Sequence, residues 1–237
     1  MNDFAVVEQE ISVRFSDLRA FWAEVKVLAT LPPAPQSYGH SAGRGFAIVF
    51  LYGSLEFGLN RSVRQLSELI FTYSVRICDI SNSMMCLVHE PTVKAINLSG
   101  RKTRIPNRLR LFDSIGSSDH AVVHDELIGP ELQNVWTKSI KDTFLVFGVK
   151  DSAVLHESSS DYIDRIVNDR NAVAHGREAP DVVGARYTIQ EIDMLIERIE
   201  AESRYFVGCF RSFYQNREFI NSRYRHRYLK RDAKQAS

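Results

Sequence analysis

Apolar side chains recur at intervals of three and four along most of this chain, and no stretch alternates as a half-buried strand would. Between residues 4 and 29, Val7, Ile11, Phe15, Leu18, Phe21, Trp22, Val25 and Leu28 share one helical face. A second stripe runs from about Phe46 into the seventies through Phe50, Leu51, Leu55, Leu59, Val63, Leu66 and Ile70. Gly53 and Gly58 weaken that helix slightly and offer room for a close neighbour. Between the two, "LPPAPQSYGHSAGRG" (31–45) reads as a loop, with Pro32 stopping the first helix.

Further along, "GPELQNVWTKSIKDTFLVFGV" opens on a proline suited to a first helical turn. It places Trp136, Ile140, Phe144 and Phe147 on one face and ends at Gly148. "SSSDYIDRIVNDRNAVAHG" is entered through serines and Asp161 and stopped by Gly176 and Pro180. In "YTIQEIDML", Thr188 and Glu191 form a capping box, with Tyr187 and Ile192 as its staple, before a helix that reaches the 210s. Between about 75 and 130, Pro91 and "NLSGRKTRIP" mark an irregular insertion, with a short helix from Pro106. The pattern predicts an all-α bundle of about five main helices in a single domain, 1–237, ending in a basic tail at about 220–237.

A net charge of +1 over 237 residues excludes a general polyelectrolyte binder, so any affinity for nucleic acid has to be local. No apolar run is long enough to cross a bilayer, and "MNDFAVVEQE" lacks a leader pattern, so a cytoplasmic protein is expected. Cys78, Cys86 and Cys209 have no ligand-like spacing and read as buried thiols. Asp119, His120, His124 and Asp125 form too sparse a set for a metal site, and no cofactor is expected. His40, His89, His120, His124 and His156 read as surface histidines in loops.

One helix carries unusual company in "NDRNAVAHGREAP" (168–180). At 100° per residue, Ile163, Ile166, Val167 and Ala174 make an apolar stripe, and Arg170 falls within it. An arginine there must snorkel out, face a polar pocket, or meet a partner subunit. Asp164, Asn168, Asn171 and His175 form a polar row on the flank, so Asn171 can hydrogen-bond His175 and fix its ring. His175 sits in the last turn, where the macrodipole favours a cation and proton transfer becomes available. Arg170 and His175 are about 140° apart around the helix, so a site using both gains from a second copy across a two-fold axis. The bland reading is a histidine on the helix C-terminal carbonyls beside an arginine in an ion pair.

"RNAVAHG" (170–176) resembles the Arg-x(4–6)-His signature of the HEPN-superfamily ribonucleases. "FLYGSLEFGLNRSV" (50–63) resembles the second helix of their MAE-type and RiboL-PSP-type branch, and "IKDTFLVFGV" the helix and turn before the motif helix. Some relatives carry a tyrosine two places after the histidine, where this chain has Arg177. The resemblance implies a HEPN-like bundle and metal-independent RNA cleavage by a homodimer, with Arg170 and His175 of both chains lining one cleft. The ribose 2′-OH would attack the neighbouring phosphate. His175 would be general base or acid, Arg170 would brace the phosphate, and Asn171 would orient His175 or touch the phosphate. It also implies a toxin or phage-defence role, with an antitoxin or regulatory protein as a further partner. The alternative is a non-catalytic HEPN-like module that binds a partner protein or nucleotide.

Glu56 is expected either to hold the Arg170 guanidinium or to stay solvated in a row with Tyr52 and Asn60. RNA-binding candidates are Arg101, Lys102, Arg104, Arg108 and Arg110 in "SGRKTRIPNRLR", with Arg177. In the tail, Arg223, Arg225 and Arg227 alternate with aromatics in "SRYRHRYLKR", which suits phosphate or antitoxin contact. The aromatics from Tyr205 to Phe213 read as core.

Overall fold

Nine α-helices form among the residues that the computed structural model describes, 4–28, 38–124 and 134–235, with side chains to 232. They are α1 (Ala5–Leu28), α2 (Tyr38–Tyr73), α3 (Met85–Asn97), α4 (Arg104–Ile115), α5 (Thr137–Phe147), α6 (Ser159–Ala174), α7 (Pro180–Gly184), α8 (Ile189–Gln215) and α9 (Ser222–Gln235). The described residues form no named strand, only two isolated bridges, Arg76 with His120 and Ile80 with Ile220. No described helix is long and apolar enough to cross a membrane. The chain divides into two compact units, and α2, α5 and α8 each contribute to both.

The first unit comprises Met1–Ser62, Leu132–Ile140 and Ser152–Gly208. Its core takes Val7, Ile11, Phe15, Leu18 and Trp22 from α1, Leu51, Leu55 and Leu59 from α2, Ile163, Ile166 and Val167 from α6, and Ile192, Ile196 and Ile199 from α8. The predicted stripes supply the positions on α1, α2 and α6, while Ile196 and Ile199 of α8 belong to no predicted stripe; Phe21 and Phe50 are half-buried, and Leu28 is exposed. Gly58 lies against Ser203 of α8, the close neighbour its size invited, whereas Gly53 meets nothing.

Helix α2 starts at Tyr38, so 38–45 is helical and not loop. The reason is tertiary. A Cβ on Gly45 would lie 2.0 Å from the Pro180 carbonyl oxygen, and one on Gly184 would lie 1.8 Å from that of Ser41. Backbone therefore packs on backbone where α2 meets α7, and this contact holds a glycine-rich turn that propensity alone assigns to coil. Pro32 and Pro130 lie outside the described residues; α1 ends at Leu28, and α5 begins at Thr137. The Thr188–Glu191 capping box is present, with Thr188 N–H donating to Glu191 at 2.7 Å and Glu191 N–H to Thr188 Oγ1 at 3.1 Å.

The second unit comprises Val63–Glu131, Lys141–Asp151 and Cys209–Ser237. Phe144, Phe147, Phe210, Phe213 and Phe219 are buried in it, and the Phe144 and Phe210 ring centroids are 5.3 Å apart. The stretch expected to be irregular is largely helical. Helix α3 continues through Pro91, which has no N–H to offer the Leu87 carbonyl. The His124 backbone N–H takes that place at 3.2 Å. Helix α4 begins at Arg104, two residues before Pro106. Asp79 is buried and accepts from Arg76 Nε at 2.8 Å and from the Tyr228 hydroxyl at 2.8 Å, which ties α9 to the 3-10 turn at Ile77–Asp79.

Candidate functional site

Helix α6 buries Ile163, Ile166 and Val167, as its stripe predicts; Ala174, the last member of that stripe, is exposed. Asp164 leaves the expected polar row to serve a neighbour, its Oδ1 accepting the Thr137 N–H at the start of α5 at 2.8 Å. The C-terminus closes in a Schellman arrangement. Gly176, at φ +65°, donates to Val173 O at 3.1 Å, and Arg177 N–H donates to Ala172 O at 2.9 Å. Glycine is needed at 176 because a side chain in that left-handed conformation is strained. The sharp stop leaves His175, the C-cap, exposed at the helix end.

Arg170 neither snorkels free nor enters the core. Its guanidinium carbon lies 4.4 Å from the centroid of the Tyr52 ring, and Nη1 donates to Asn171 Oδ1 at 2.8 Å. Nη2 stands 3.9 Å from Glu56 Oε2, an ion pair without a hydrogen bond. Of the two readings of Glu56, pairing with Arg170 is the one observed. Tyr52 is almost wholly buried and is anchored through its hydroxyl, which accepts the Val135 N–H at 3.1 Å. Burial pushes the Glu56 carboxyl above the ordinary carboxylate range, outweighing the opposing pull of Arg170. The Tyr52 phenol is likewise raised, chiefly by burial.

Asn171 does not fix the His175 ring. Its side-chain oxygen goes to Arg170, and among the described residues the His175 imidazole makes no hydrogen bond. The i, i+4 spacing allowed the pair, but the adjacent guanidinium is a charged donor and the stronger partner for an amide oxygen. What joins 171 to 175 is main chain, the His175 N–H donating to Asn171 O at 3.1 Å.

Sequence reasoning missed Asp169. Its carboxylate is buried, accepting from the Tyr187 hydroxyl at 2.5 Å and from Arg186 Nη1 at 2.7 Å. Arg186 also pairs with Glu178, and the Arg165 guanidinium covers the Tyr187 ring at 4.2 Å. The Tyr187 phenol is held far above its ordinary value, first by burial and then by its bond to Asp169. This cluster fixes α6 to the segment just beyond its end, and so fixes the turn that carries His175. Glu202, fully buried, was missed as well; it accepts the Leu155 N–H at 3.0 Å and the Tyr162 hydroxyl at 2.9 Å. An acidic residue one place from an arginine looks like an ordinary surface pair, and Asp169 falls about 120° from Ile163 around the helix, off the predicted stripe, so periodicity did not mark it.

Arg170, Asn171, His175, Arg177 and Glu56 all belong to the first unit, and Arg177 is exposed beside His175. The other basic candidates belong to the second. There Arg101, Lys102, Arg104, Arg108 and Arg110 are exposed on and before α4. The tail forms α9 and is partly occupied with its own unit. Arg225 Nη2 donates to Ile220 O at 3.3 Å, Arg227 lies 4.8 Å from the Tyr224 ring centroid, and Arg223 lies 5.8 Å from it.

His40 and His89 are buried on α2 and α3, not exposed in loops. Of the cysteines, only Cys209 is buried, while Cys86 is exposed. Asp125 lies outside the described residues, and Asp119 accepts from the Ser117 hydroxyl at 2.7 Å. Among the described residues no three His, Cys, Asp or Glu side chains gather as metal ligands.

The family model described as RiboL-PSP-HEPN matches residues 13–216. That span contains Glu56 and the whole of α6 and stops before α9. Neither the curated proteins nor the solved structures compared with the chain gave a match.

Proposed function

This chain belongs to the RiboL-PSP-HEPN family, a HEPN-superfamily nuclease-like domain, and on that premise we propose that it is a metal-independent endoribonuclease acting through Arg170, Asn171 and His175. One observation carries the reading. A half-buried guanidinium is seated on the Tyr52 ring and bonded to Asn171, five residues before an exposed imidazole at a sharp helix end. A planar fork held in place suits a phosphate whose charge grows in the transition state. A histidine that spends no ring nitrogen on the protein is available to move a proton.

The reaction follows from those roles. The ribose 2′-oxygen bonds to phosphorus as its proton leaves to a base, and the bond to the 5′-oxygen breaks as that oxygen gains a proton. The products are a 2′,3′-cyclic phosphate and a 5′-hydroxyl. His175 is base or acid, Arg170 braces the non-bridging oxygens, and Asn171 sets the angle of Arg170. Two copies of the site facing one another, as in a homodimer, supply one imidazole for each proton. Cellular RNA is the substrate class, in a toxin or phage-defence effector restrained by an antitoxin or regulatory protein.

The test is cleavage of total RNA by the purified full chain in EDTA. Wild type is expected to cut, and Arg170→Ala and His175→Ala are expected to fold and lose cleavage by about 100-fold or more. Full activity in either variant rejects the assigned roles. The internal engagement of Arg170 by Asn171 and Glu56 favours one competitor, a binding module in which the pair is structural. Growth arrest on expression separates the two, since only the nuclease reading makes arrest depend on His175.

A further inference from the structure

Helix α4 shows its apolar side to solvent. Ile105, Leu109 and Phe112 are 68%, 59% and 69% exposed, and no residue of α4 is buried. The opposite side, about 180° away around the helix, makes the helix's contacts with α3. Asn107 Nδ2 lies 3.4 Å from Ala95 O, and Ser114 Oγ lies 3.2 Å from His89 Nδ1. Polar side chains thus tie α4 to its own unit and leave an apolar row outward, the reverse of an ordinary surface helix. Such a row is the seam of an interface rather than a core.

The charges beside the row say what covers it. The spacings 105 to 109 and 109 to 112, four then three, are d to a and a to d of a heptad. In that register Arg108 is g and Asp113 is e. In a parallel pair of helices a g residue meets the e residue five positions further along the partner, so Arg108 of each copy meets Asp113 of the other. An antiparallel pair instead sets Arg108 against Arg108. Neither side chain forms an ion pair among the described residues.

We propose that α4 is a self-association surface, on which two copies of this chain pair their α4 helices in parallel about a two-fold axis. Ile105, Leu109 and Phe112 form the seam, and two reciprocal Arg108–Asp113 ion pairs set its direction. An isologous contact closes on itself, which suits a seam this short. The surface is independent of the proposed cleavage site, and variants at Arg170 or His175 leave it unchanged.

Sedimentation of the full chain over a range of concentrations tests this. Leu109→Lys is expected to weaken one association step by about tenfold or more. Arg108→Asp and Asp113→Arg each weaken the same step, and the double reversal regains it. These residues are exposed, so circular dichroism should show unchanged folding. As an independent check, Ile105→Cys in a Cys86→Ser background should form a disulfide with its own copy on mild oxidation, which parallel pairing alone allows. The proposal is overturned if Leu109→Lys leaves sedimentation unchanged, even where it alters binding to RNA or anionic vesicles. It is equally overturned if the double reversal restores nothing, or if the Ile105→Cys chains fail to cross-link.

Discussion

Asp169 of α6 receives the hydroxyl of Tyr187 at 2.5 Å, across the turn that ends the motif helix. Both groups are buried, and the carboxylate keeps Arg186 as its second partner. Removing the hydroxyl with Tyr187→Phe should cost about 1–3 kcal/mol, read as a lower urea midpoint with unchanged slope. Asp169→Ala should cost more, because it strands the buried Tyr187 hydroxyl and takes one of two carboxylates from Arg186. The alkaline limb follows from the phenols. Tyr187 is held far above its ordinary value, and Tyr162 is pushed up to about 12. The native state keeps protons that the unfolded chain releases near pH 10. Their contribution is therefore complete below pH 10 and is lost as pH rises beyond it, and urea titrations from pH 8 to 11 should show stability falling. Flat stability over that range contradicts the assignment.

Tyr52 supports Arg170 with its face and anchors itself with its hydroxyl. Tyr52→Phe keeps the face and should retain most RNA cleavage while losing some stability. Tyr52→Leu removes the face, worth about 0.5–2 kcal/mol in orienting the guanidinium, so kcat should drop by roughly 3- to 30-fold. Equal activity in the two variants excludes the ring as a support.

Glu56 provides a pH test. Its carboxyl is raised by burial despite Arg170, so the folded state binds this proton more tightly than the unfolded chain does. The stabilisation is complete below the ordinary carboxylate pKa and disappears as pH rises through the folded value. Glu56→Gln should therefore raise Tm more at pH 7 than at pH 4. A loss of Tm at pH 7 would show that the pull of Arg170 outweighs burial.

Three glycines should behave differently on conversion to alanine. Gly184→Ala forces a Cβ onto the Ser41 backbone oxygen and should cost several kcal/mol or prevent folding. Gly176→Ala meets open space but keeps a left-handed residue, at a cost of about 1–2 kcal/mol. Gly53→Ala meets nothing inside a helix and should stabilise by about 0.5–1 kcal/mol. Thermal melts of the three variants rank them.

The motif helix was legible in part. Its buried Ile163, Ile166 and Val167 and its glycine stop follow from periodicity and backbone chemistry that act within a few residues, whereas Ala174 of the stripe is exposed and the buried Asp169 and Ala172 lie off it. The choice of partner was not legible. Asn171 stood within reach of both Arg170 and His175, and spacing does not rank a charged donor one residue away against a ring one turn on. Asp169 was hidden for a related reason: its partners lie 17 and 18 residues downstream, brought back by the turn after Gly176.

By itself the sequence determined the all-helical class, the buried faces of α1 and α2 and the capping box at Thr188. Each is set by local rules, a period of 3.6 residues or a side chain bonding its own backbone. Only the tertiary structure decided that 38–45 is helix, that α3 survives Pro91, that Tyr52 and Glu56 flank Arg170, and that α4 faces outward. Those outcomes rest on contacts between residues far apart in the chain, such as the Ser41 and Pro180 carbonyls against glycine, or the His124 N–H at an orphaned carbonyl. Packing there outweighs a local propensity cost of about 1 kcal/mol for each helical glycine and about 3 kcal/mol for Pro91.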